Sequence, residues 1–270
     1  MRKACPRFHI FWSPRAATPA PAIALAVRHI QKVHGNETVC LVLAADHLIS
    51  DEAAFEKAVD QAAEQAQAGN LVVFGIRPTA PKTGYGYLEV AEPGDGPQPL
   101  KSFVEKPSRA TAEQYLAAGR YYWNSGMFCF AAGVMADNLA AHAGDVWAAS
   151  EAAFAKAHED AGVTRFEEES FIAQPDISID YAVMEKANKI AMVPAGFGWS
   201  DVGSWDAVAG AQDADADGNH AAGVDGVHFV ETRETHIEST SHTQKVIAAI
   251  GVENLVIIDT PDALLVADRT

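Results

Sequence analysis

The first half of the chain alternates helical and strand-like patterns of apolar residues. A helical spacing runs from Pro19 to Val33, with prolines at its start, where a missing N–H costs nothing. Val39 to Leu43 is a short, continuous apolar run, which predicts a strand buried on both faces. Ser50 to Glu52 offers a capping residue and two carboxylates for the next helix, and Leu71 to Gly75 predicts another buried strand. This order predicts α/β layers around a parallel sheet.

The rest of the chain is less regular and becomes strand-rich towards its end. In the middle, the apolar pattern predicts strands at 87–90, 100–104, 127–130 and 190–193, and helices at 111–118, within 133–161 and at 179–187. From Val227 onwards, short strands follow at regular spacing with turn residues between them, which predicts a small all-β unit. We therefore expect an atypical segment 1–19, an α/β domain 20–212 and a β-rich domain 213–270.

Composition and charge exclude several classes of protein. The chain is 49% apolar and 21% charged, as in ordinary globular proteins. Its net charge of −16 repels a phosphate backbone, so we expect no nucleic-acid partner. No apolar run approaches the ~20 residues of a membrane helix, and no signal peptide is apparent. Cys40 and Cys129 lie in apolar strand-like runs, where buried free thiols are the default, and this favours a cytoplasmic protein.

Two aspartates follow strand-like runs and are candidate metal ligands. Asp46 comes directly after the first buried strand, although an Asp at this place also serves as a simple cap. Asp201 lies beside Gly203 in a second loop, where an acid can equally shape a turn. Mg²⁺ beside nucleotide phosphates takes one or two carboxylates, so the pair together predicts a Mg²⁺ site.

Three further segments carry groups that suit a sugar phosphate. Glu105 can accept sugar hydroxyls and Lys106 can neutralise a phosphate, although the two could also form a plain surface ion pair. Asn124 precedes an apolar strand and can discriminate hydroxyls, or it can belong to an ordinary turn. Gly86, in a Thr-Gly-Tyr-Gly-Tyr run, would let a ligand approach the backbone closely, or mark a hairpin.

Taken in order, these segments resemble one family. The series AADHLI, FGIRPTAPKTGYGY, FVEKP, YYWNSGMF, SIDYAVMEK and GWSDVGSW is similar to that of the sugar-1-phosphate nucleotidyltransferases, specifically the bacterial mannose-1-phosphate guanylyltransferases. The resemblance implies a mixed, mostly parallel Rossmann-like sheet with a small C-terminal all-β unit. It implies GTP and mannose 1-phosphate as substrates, GDP-mannose and pyrophosphate as products, and Mg²⁺ as the cofactor.

The resemblance also implies roles for individual residues. Asp46 and Asp201 would be the metal carboxylates, and Lys106 would join them as a catalytic residue. A second set would hold mannose 1-phosphate: Gly86, Glu105, Lys106, Asn124 and Asp180. The sequence leaves homo-oligomerisation open.

The beginning of the chain departs from the family pattern. The G-G-x-G-T-R loop that wraps the triphosphate is absent, so we expect this chain alone to form no detectable GDP-mannose. Residues 16 to 19 read Ala-Ala-Thr-Pro where the family has G-R-N-T, which suggests an out-of-frame origin for residues 1–19. Ordinary divergence is the alternative. Two other functions stay open: a non-catalytic subunit that binds a sugar phosphate or nucleotide sugar, and an assembly module acting through the C-terminal strands.

Overall fold

The computed structural model describes residues 10–12, 18–160, 163–210, 213–224, 226–241 and 245–269. The helices are α1 (Pro19–His34), α2 (Glu52–Gln67), α3 (Arg109–Ala118), α4 (Ala132–His142), α5 (Gly144–Ala155), α6 (Glu168–Ile172) and α7 (Trp205–Gly210), with a π-helical turn at Asp180–Met184. The first strands are β1 (Ile10–Trp12), β2 (Val39–Val42), β3 (Leu48–Ile49), β4 (Leu71–Ile76), β5 (Tyr87–Val90), β6 (Gln98–Val104) and β7 (Tyr121–Ala131). They are followed by β8 (His158–Asp160), β9 (Val163–Arg165), β10 (Ile190–Pro194), β11 (Trp199–Ser200), β12 (His220–Ala222), β13 (Gly226–Val230), β14 (His236–Ser239), β15 (Val246–Ile250), β16 (Leu255–Asp259) and β17 (Leu264–Asp268).

The chain forms two compact units. The N-terminal unit comprises residues 1–45 and 49–199, and the C-terminal unit comprises residues 46–48 and 200–270. The C-terminal unit therefore begins before residue 213, where the sequence placed the boundary, and it contains α7. Residues 1–9 and 13–17, which make up most of the segment of uncertain origin, lie outside the described residues.

A six-stranded mixed sheet organises the N-terminal unit. Its order is β2-β7-β4-β10-β6-β5, and β5 also pairs with the first residues of β7, which closes a ring of five paired strands. Strands β2, β4, β5 and β10 share one direction, while β6 and β7 run against them. Only one neighbouring pair of this sheet, β4 with β10, is parallel. The expected mixed α/β fold is confirmed, but neighbouring strands are mostly antiparallel rather than mostly parallel, because β7 lies between β2 and β4 and runs against both.

Apolar residues cover both faces of this sheet. One face packs against α1, α4 and the π-helical turn around the buried side chains of Val73, Tyr122 and Phe130. The other face packs against α2 around Phe74 and Phe197. Helix α2 forms as predicted, but its cap is Asp51, one of the two expected carboxylates, rather than Ser50: Asp51 Oδ1 accepts a hydrogen bond from Ala54 N at 2.9 Å.

Burial matches the sequence expectation at the two cysteines but not at the edge of the sheet. Cys40 and Cys129 are buried free thiols, and burial raises the pKa of each to about 11. Strand β2 was expected to be buried on both faces, which is wrong, since Leu41 is 36% exposed. The reason is that β2 lies at the edge of the described sheet and has only β7 as a neighbour.

The C-terminal unit contains stacked parallel strands. Strand β13 pairs with β15 in parallel, so that Gly226 lies opposite Val246, and β14 pairs with β16, so that His236 lies opposite Val256. Both pairings join residues 20 positions apart (246 − 226 and 256 − 236), which places successive turns of the chain above one another. Strand β17 turns back and pairs antiparallel with β16. The regular spacing seen in the sequence is this repeat.

Candidate functional site

Asn124 lies at an irregularity in β7. The pairing of β7 with β4 shifts register between Val73 and Gly75, and Gly75 is the partner of Asn124. Asn124 N donates to Gly86 O at 2.8 Å, and its side-chain amide donates to Asp180 Oδ1 at 3.0 Å. The sequence placed Asn124 before the strand, which is wrong: it lies inside a strand of eleven residues. A bulged strand re-aims side chains, and here it directs the amide to the carboxylate of the π-helical turn.

Glu105 and Lys106 form a corner directly after β6. Lys106 adopts a positive φ of 47°, which is uncommon for a residue with a side chain, and its N–H donates to Tyr85 O at 3.2 Å. The two side chains lie 3.8 Å apart, between Lys106 Nζ and Glu105 Oε1. Their exposure differs, since the side chain of Glu105 is 12% exposed and that of Lys106 is 60% exposed. The corner thus holds a covered carboxylate beside a cation that reaches solvent.

Gly86 allows these groups to approach one another. A Cβ atom at Gly86 would collide with the Glu105 carboxylate and lie 3.3 Å from both Asn124 Cβ and the Phe103 ring. Only a residue without a side chain leaves this space open. Five residues predicted from sequence, Gly86, Glu105, Lys106, Asn124 and Asp180, are therefore joined by contacts within the N-terminal unit.

Glu185 belongs to the same group, although the sequence did not single it out. Glu185 Oε1 accepts a hydrogen bond from Glu105 N at 3.3 Å. It follows the π-helical turn that begins at Asp180, so one short segment supplies two of the three carboxylates. In the sequence, an exposed acid beside a lysine resembles an ordinary surface charge. Only its hydrogen bond to Glu105, the residue directly after β6, distinguishes Glu185 from such a surface charge.

The electrostatics of the group raise the pKa of two of its acids, Glu105 and Asp180. Burial, followed by the neighbouring charge of Asp180, raises the pKa of Glu105, and Glu185 adds to the effect while Lys106 opposes it. Burial also raises the pKa of Asp180, against the hydrogen bond from Asn124. Three acids with one cation can accept hydrogen bonds from a polyol, and Lys106 adds a positive charge for an anionic group.

Asp46 and Asp201 belong to the C-terminal unit. They flank the two strands of a separate ladder, since Asp46 precedes β3 and Asp201 directly follows β11. Ser50 N, just past β3, donates to Phe197 O and Gly198 O, just before β11, each at 3.2 Å. The two strands therefore run in opposite directions. It follows that Asp46 and Asp201 lie at the same end of the ladder.

The chemistry of this pair fits a hard divalent cation. Asp46 is exposed, and Asp201 Oδ1 accepts a hydrogen bond from Gly203 N at 3.3 Å. An ionised carboxylate has about four acceptor positions, so such a bond is compatible with binding a cation as well. Among the described residues, no three His, Cys, Asp or Glu side chains gather as a metal-binding group. Mg²⁺ does not require such a cage, because waters and phosphate oxygens complete its shell.

Two protein families match the chain. The nucleotidyl transferase family matches residues 7–218, and the mannosephosphate isomerase/GMP-like β-helix domain matches residues 227–270. The β-helix match agrees with the stacked turns of the C-terminal unit. Within the described part of the chain, no helix has the length and apolar composition needed to cross a membrane.

Several relatives support the same assignment. The mannose-1-phosphate guanylyltransferase of Escherichia coli K12 is 42% identical over 268 residues, which covers 97% of this chain and 55% of the relative. The xanthan biosynthesis protein XanB of Xanthomonas campestris strain B100 is 42% identical over 261 residues, covering 96% of this chain and 54% of XanB. The chain thus spans little more than half the length of these curated relatives.

A solved structure shares the fold. The crystal structure of a protein from Thermus thermophilus, described as a mannose-1-phosphate geranyltransferase, superposes with a TM-score of 0.80 at 33% identity. The match covers 95% of this chain and 72% of that one. A Helicobacter pylori protein described as a mannose-6-phosphate isomerase gives 0.66 at 35% identity, covering 71% of this chain and 74% of that one. Given the family match over residues 7–218 and this shared fold, the chain belongs to the nucleotidyl transferase family.

Proposed function

We propose that this chain carries the sugar-phosphate site of an enzyme that transfers GMP from GTP to mannose 1-phosphate, giving GDP-mannose and pyrophosphate. The group formed by Gly86, Glu105, Lys106, Asn124 and Asp180 carries the proposal, because it combines hydroxyl acceptors with a cation. The names of relatives such as the Escherichia coli mannose-1-phosphate guanylyltransferase support the choice of sugar.

The acids of the group bind the sugar hydroxyls. Glu105 and Asp180 offer carboxylate oxygens, and the amide of Asn124 is already oriented by its bond to Asp180 at 3.0 Å. A ligand that lacks the matching hydroxyls leaves the remaining hydrogen-bonding positions of these half-buried groups unfilled, which costs about 1–3 kcal/mol for each group. Discrimination between sugars therefore resides in these three residues.

Lys106 binds the phosphate of the sugar. Its ammonium reaches solvent, while its backbone is fixed by the bond to Tyr85 O. An oxygen of the sugar phosphate attacks the α-phosphorus of GTP, the new P–O bond forms there, and the bond to pyrophosphate breaks. Because Lys106 neutralises the sugar phosphate, it reduces the repulsion between the two anions as they approach.

Asp46 and Asp201 would hold Mg²⁺ in the C-terminal unit. Both are carboxylates at one end of the β3–β11 ladder, which is the donor type that this cation prefers. When bound, Mg²⁺ supplies charge neutralisation at the nucleotide phosphates. The orientation of Asp201 is fixed in part by its bond from Gly203 N.

Calorimetry with GDP-mannose tests the proposed sugar contacts, and the same titration with EDTA tests the proposed metal. We expect binding in the presence of Mg²⁺, at least tenfold weaker binding with EDTA, and the same loss in Asp201→Asn. Asp217→Asn is the matched control, because Asp217 is an exposed acid of the same unit. Equal affinity for GDP-mannose and UDP-glucose, or binding that ignores both EDTA and Asp201→Asn, would contradict the proposal.

A further inference from the structure

A separate cavity opens where two parallel strands of the N-terminal sheet end. It has a volume of about 300 Å³ and is lined by Gly75, Arg77, Gly94, Asp95, Tyr122, Pro194, Ala195 and Gly196. Strand β4 ends one residue before Arg77, and β10 ends at Pro194. In α/β sheets, ligands bind beyond the carboxyl ends of such strands, so the position of this cavity is that of a binding site. None of the residues assigned above to sugar or metal lines it.

Arg77 provides an unpaired positive charge on the cavity wall. Its guanidinium lies 5.3 Å from the centroid of the Tyr122 ring, an arrangement that holds the planar group against the wall. No carboxylate of the described residues comes within 4.0 Å of a nitrogen of Arg77, although the protein carries a net charge of −16. Because Arg77 forms no ion pair with an acid of the described residues, its guanidinium is available to an anion from outside.

The walls around Arg77 suit a small hydroxylated anion. Gly196 is exposed, and nothing lies within 4 Å of the place that a Cβ atom would take, so a ligand can approach its backbone closely. Tyr122 is fully buried, and its hydroxyl has no hydrogen-bond partner among the described residues, which is rare for a buried polar group. Asp95 on the rim can accept a hydroxyl but not a second negative charge.

We propose that this cavity is an anion-binding site in which Arg77 holds a phosphate or carboxylate group of a small hydroxylated molecule. The guanidinium forms two parallel hydrogen bonds to the anion, a geometry that lysine cannot reproduce. The site is distinct from the Lys106 corner, so its occupation does not depend on the proposed transfer reaction.

Amide NMR titration of the 270-residue chain tests this site. Glycerol 3-phosphate and glycerate serve as probes, one for each anion. We expect saturable shifts at the amides of Gly75 and Gly196 with at least one probe. Arg77→Gln should weaken this binding at least tenfold, and Arg77→Lys should weaken it by a smaller factor. Arg109→Gln, at an exposed arginine paired only with Glu113, is the matched control and should bind as the wild type does.

The Lys106→Gln variant separates this proposal from the proposed function. We expect it to leave the shifts at Gly75 and Gly196 unchanged while it weakens binding of mannose 1-phosphate. The anion site is refuted if neither probe shifts those amides at millimolar concentration, or if Arg77→Gln binds as the wild type does. Loss of the shifts in Lys106→Gln would likewise refute it, because the two sites would then be one.

Discussion

Replacing Glu185 tests how the sugar-phosphate group is held together. Glu185→Ala removes the acceptor of the Glu105 N–H, and Glu185→Gln keeps an acceptor oxygen but removes the charge. The bond is 3.3 Å long and its acceptor is exposed, so its loss costs about 0.5–1 kcal/mol. If that energy holds Glu105 and Lys106 in place, the dissociation constant of mannose 1-phosphate rises roughly two- to fivefold in Glu185→Ala. In Glu185→Gln it rises by less.

The pH dependence of binding provides a second readout. The negative charge of Glu185 helps to raise the pKa of both Glu105 and Asp180, so its removal lowers both values. Binding that needs the ionised acids strengthens as pH rises through these values. In both variants, the rise should therefore occur at lower pH than in the wild type.

Calorimetry across pH 4 to 8 measures both effects, with Glu64→Ala, at an exposed acid of α2, as the control. Equal losses of affinity in Glu185→Ala and Glu185→Gln would show that the hydrogen bond is not the cause. If the pH profile of binding is the same in both variants as in the wild type, the charge of Glu185 does not affect the pKa values of Glu105 and Asp180.

Three further predictions concern glycines and one histidine. Gly86→Ala places a methyl group against the flexible carboxylate of Glu105, so we expect the melting temperature to change little. The affinity for mannose 1-phosphate should fall at least about tenfold, which corresponds to the loss of one charge-assisted hydrogen bond. Gly223→Ala is different, because φ is +69° and the new Cβ would collide with the Ser239 carbonyl oxygen; urea unfolding should show a loss of about 2–4 kcal/mol. Gly251→Ala, at φ +66° in open space, is its control and should lose only about 1 kcal/mol. Finally, burial lowers the pKa of His236, so the unfolded chain binds the extra proton first and stability falls as pH drops below about 6.5. A melting temperature that drops equally between pH 7.5 and 5.5 in His236→Gln would contradict that assignment.

The sequence predicted which helices and strands form better than it predicted which strands lie side by side. Helix α2 could be located because a capping residue and two carboxylates stand together at residues 50–52. The position of β7 between β2 and β4 could not, because an apolar run fixes burial but not which strand lies beside it. Strand β12 was missed since His220 and two alanines lack the β-branched residues that identify a strand.

For the candidate site, too, the sequence indicated several of the residues but not the contacts between them. Gly86, Glu105 and Asn124 could be selected because their residue types suit a sugar phosphate, and the structure joins them by contacts. Asp180 was selected by family resemblance alone, and its bond to Asn124 gives it a physical reason. Glu185 could not be found, because its importance lies in a hydrogen bond to a residue 80 positions away.

The proposed binding of mannose 1-phosphate by the N-terminal unit depends on separate sugar and phosphate contacts. Its most direct test is calorimetric titration with mannose 1-phosphate and glucose 1-phosphate, in the wild type, Asn124→Ala and Lys106→Gln. We expect the wild type to prefer mannose 1-phosphate, Asn124→Ala to lose that preference, and Lys106→Gln to weaken both ligands by a similar factor. Equal affinity of the wild type for both sugar phosphates, or unchanged preference in Asn124→Ala, would show that these contacts do not recognise the sugar.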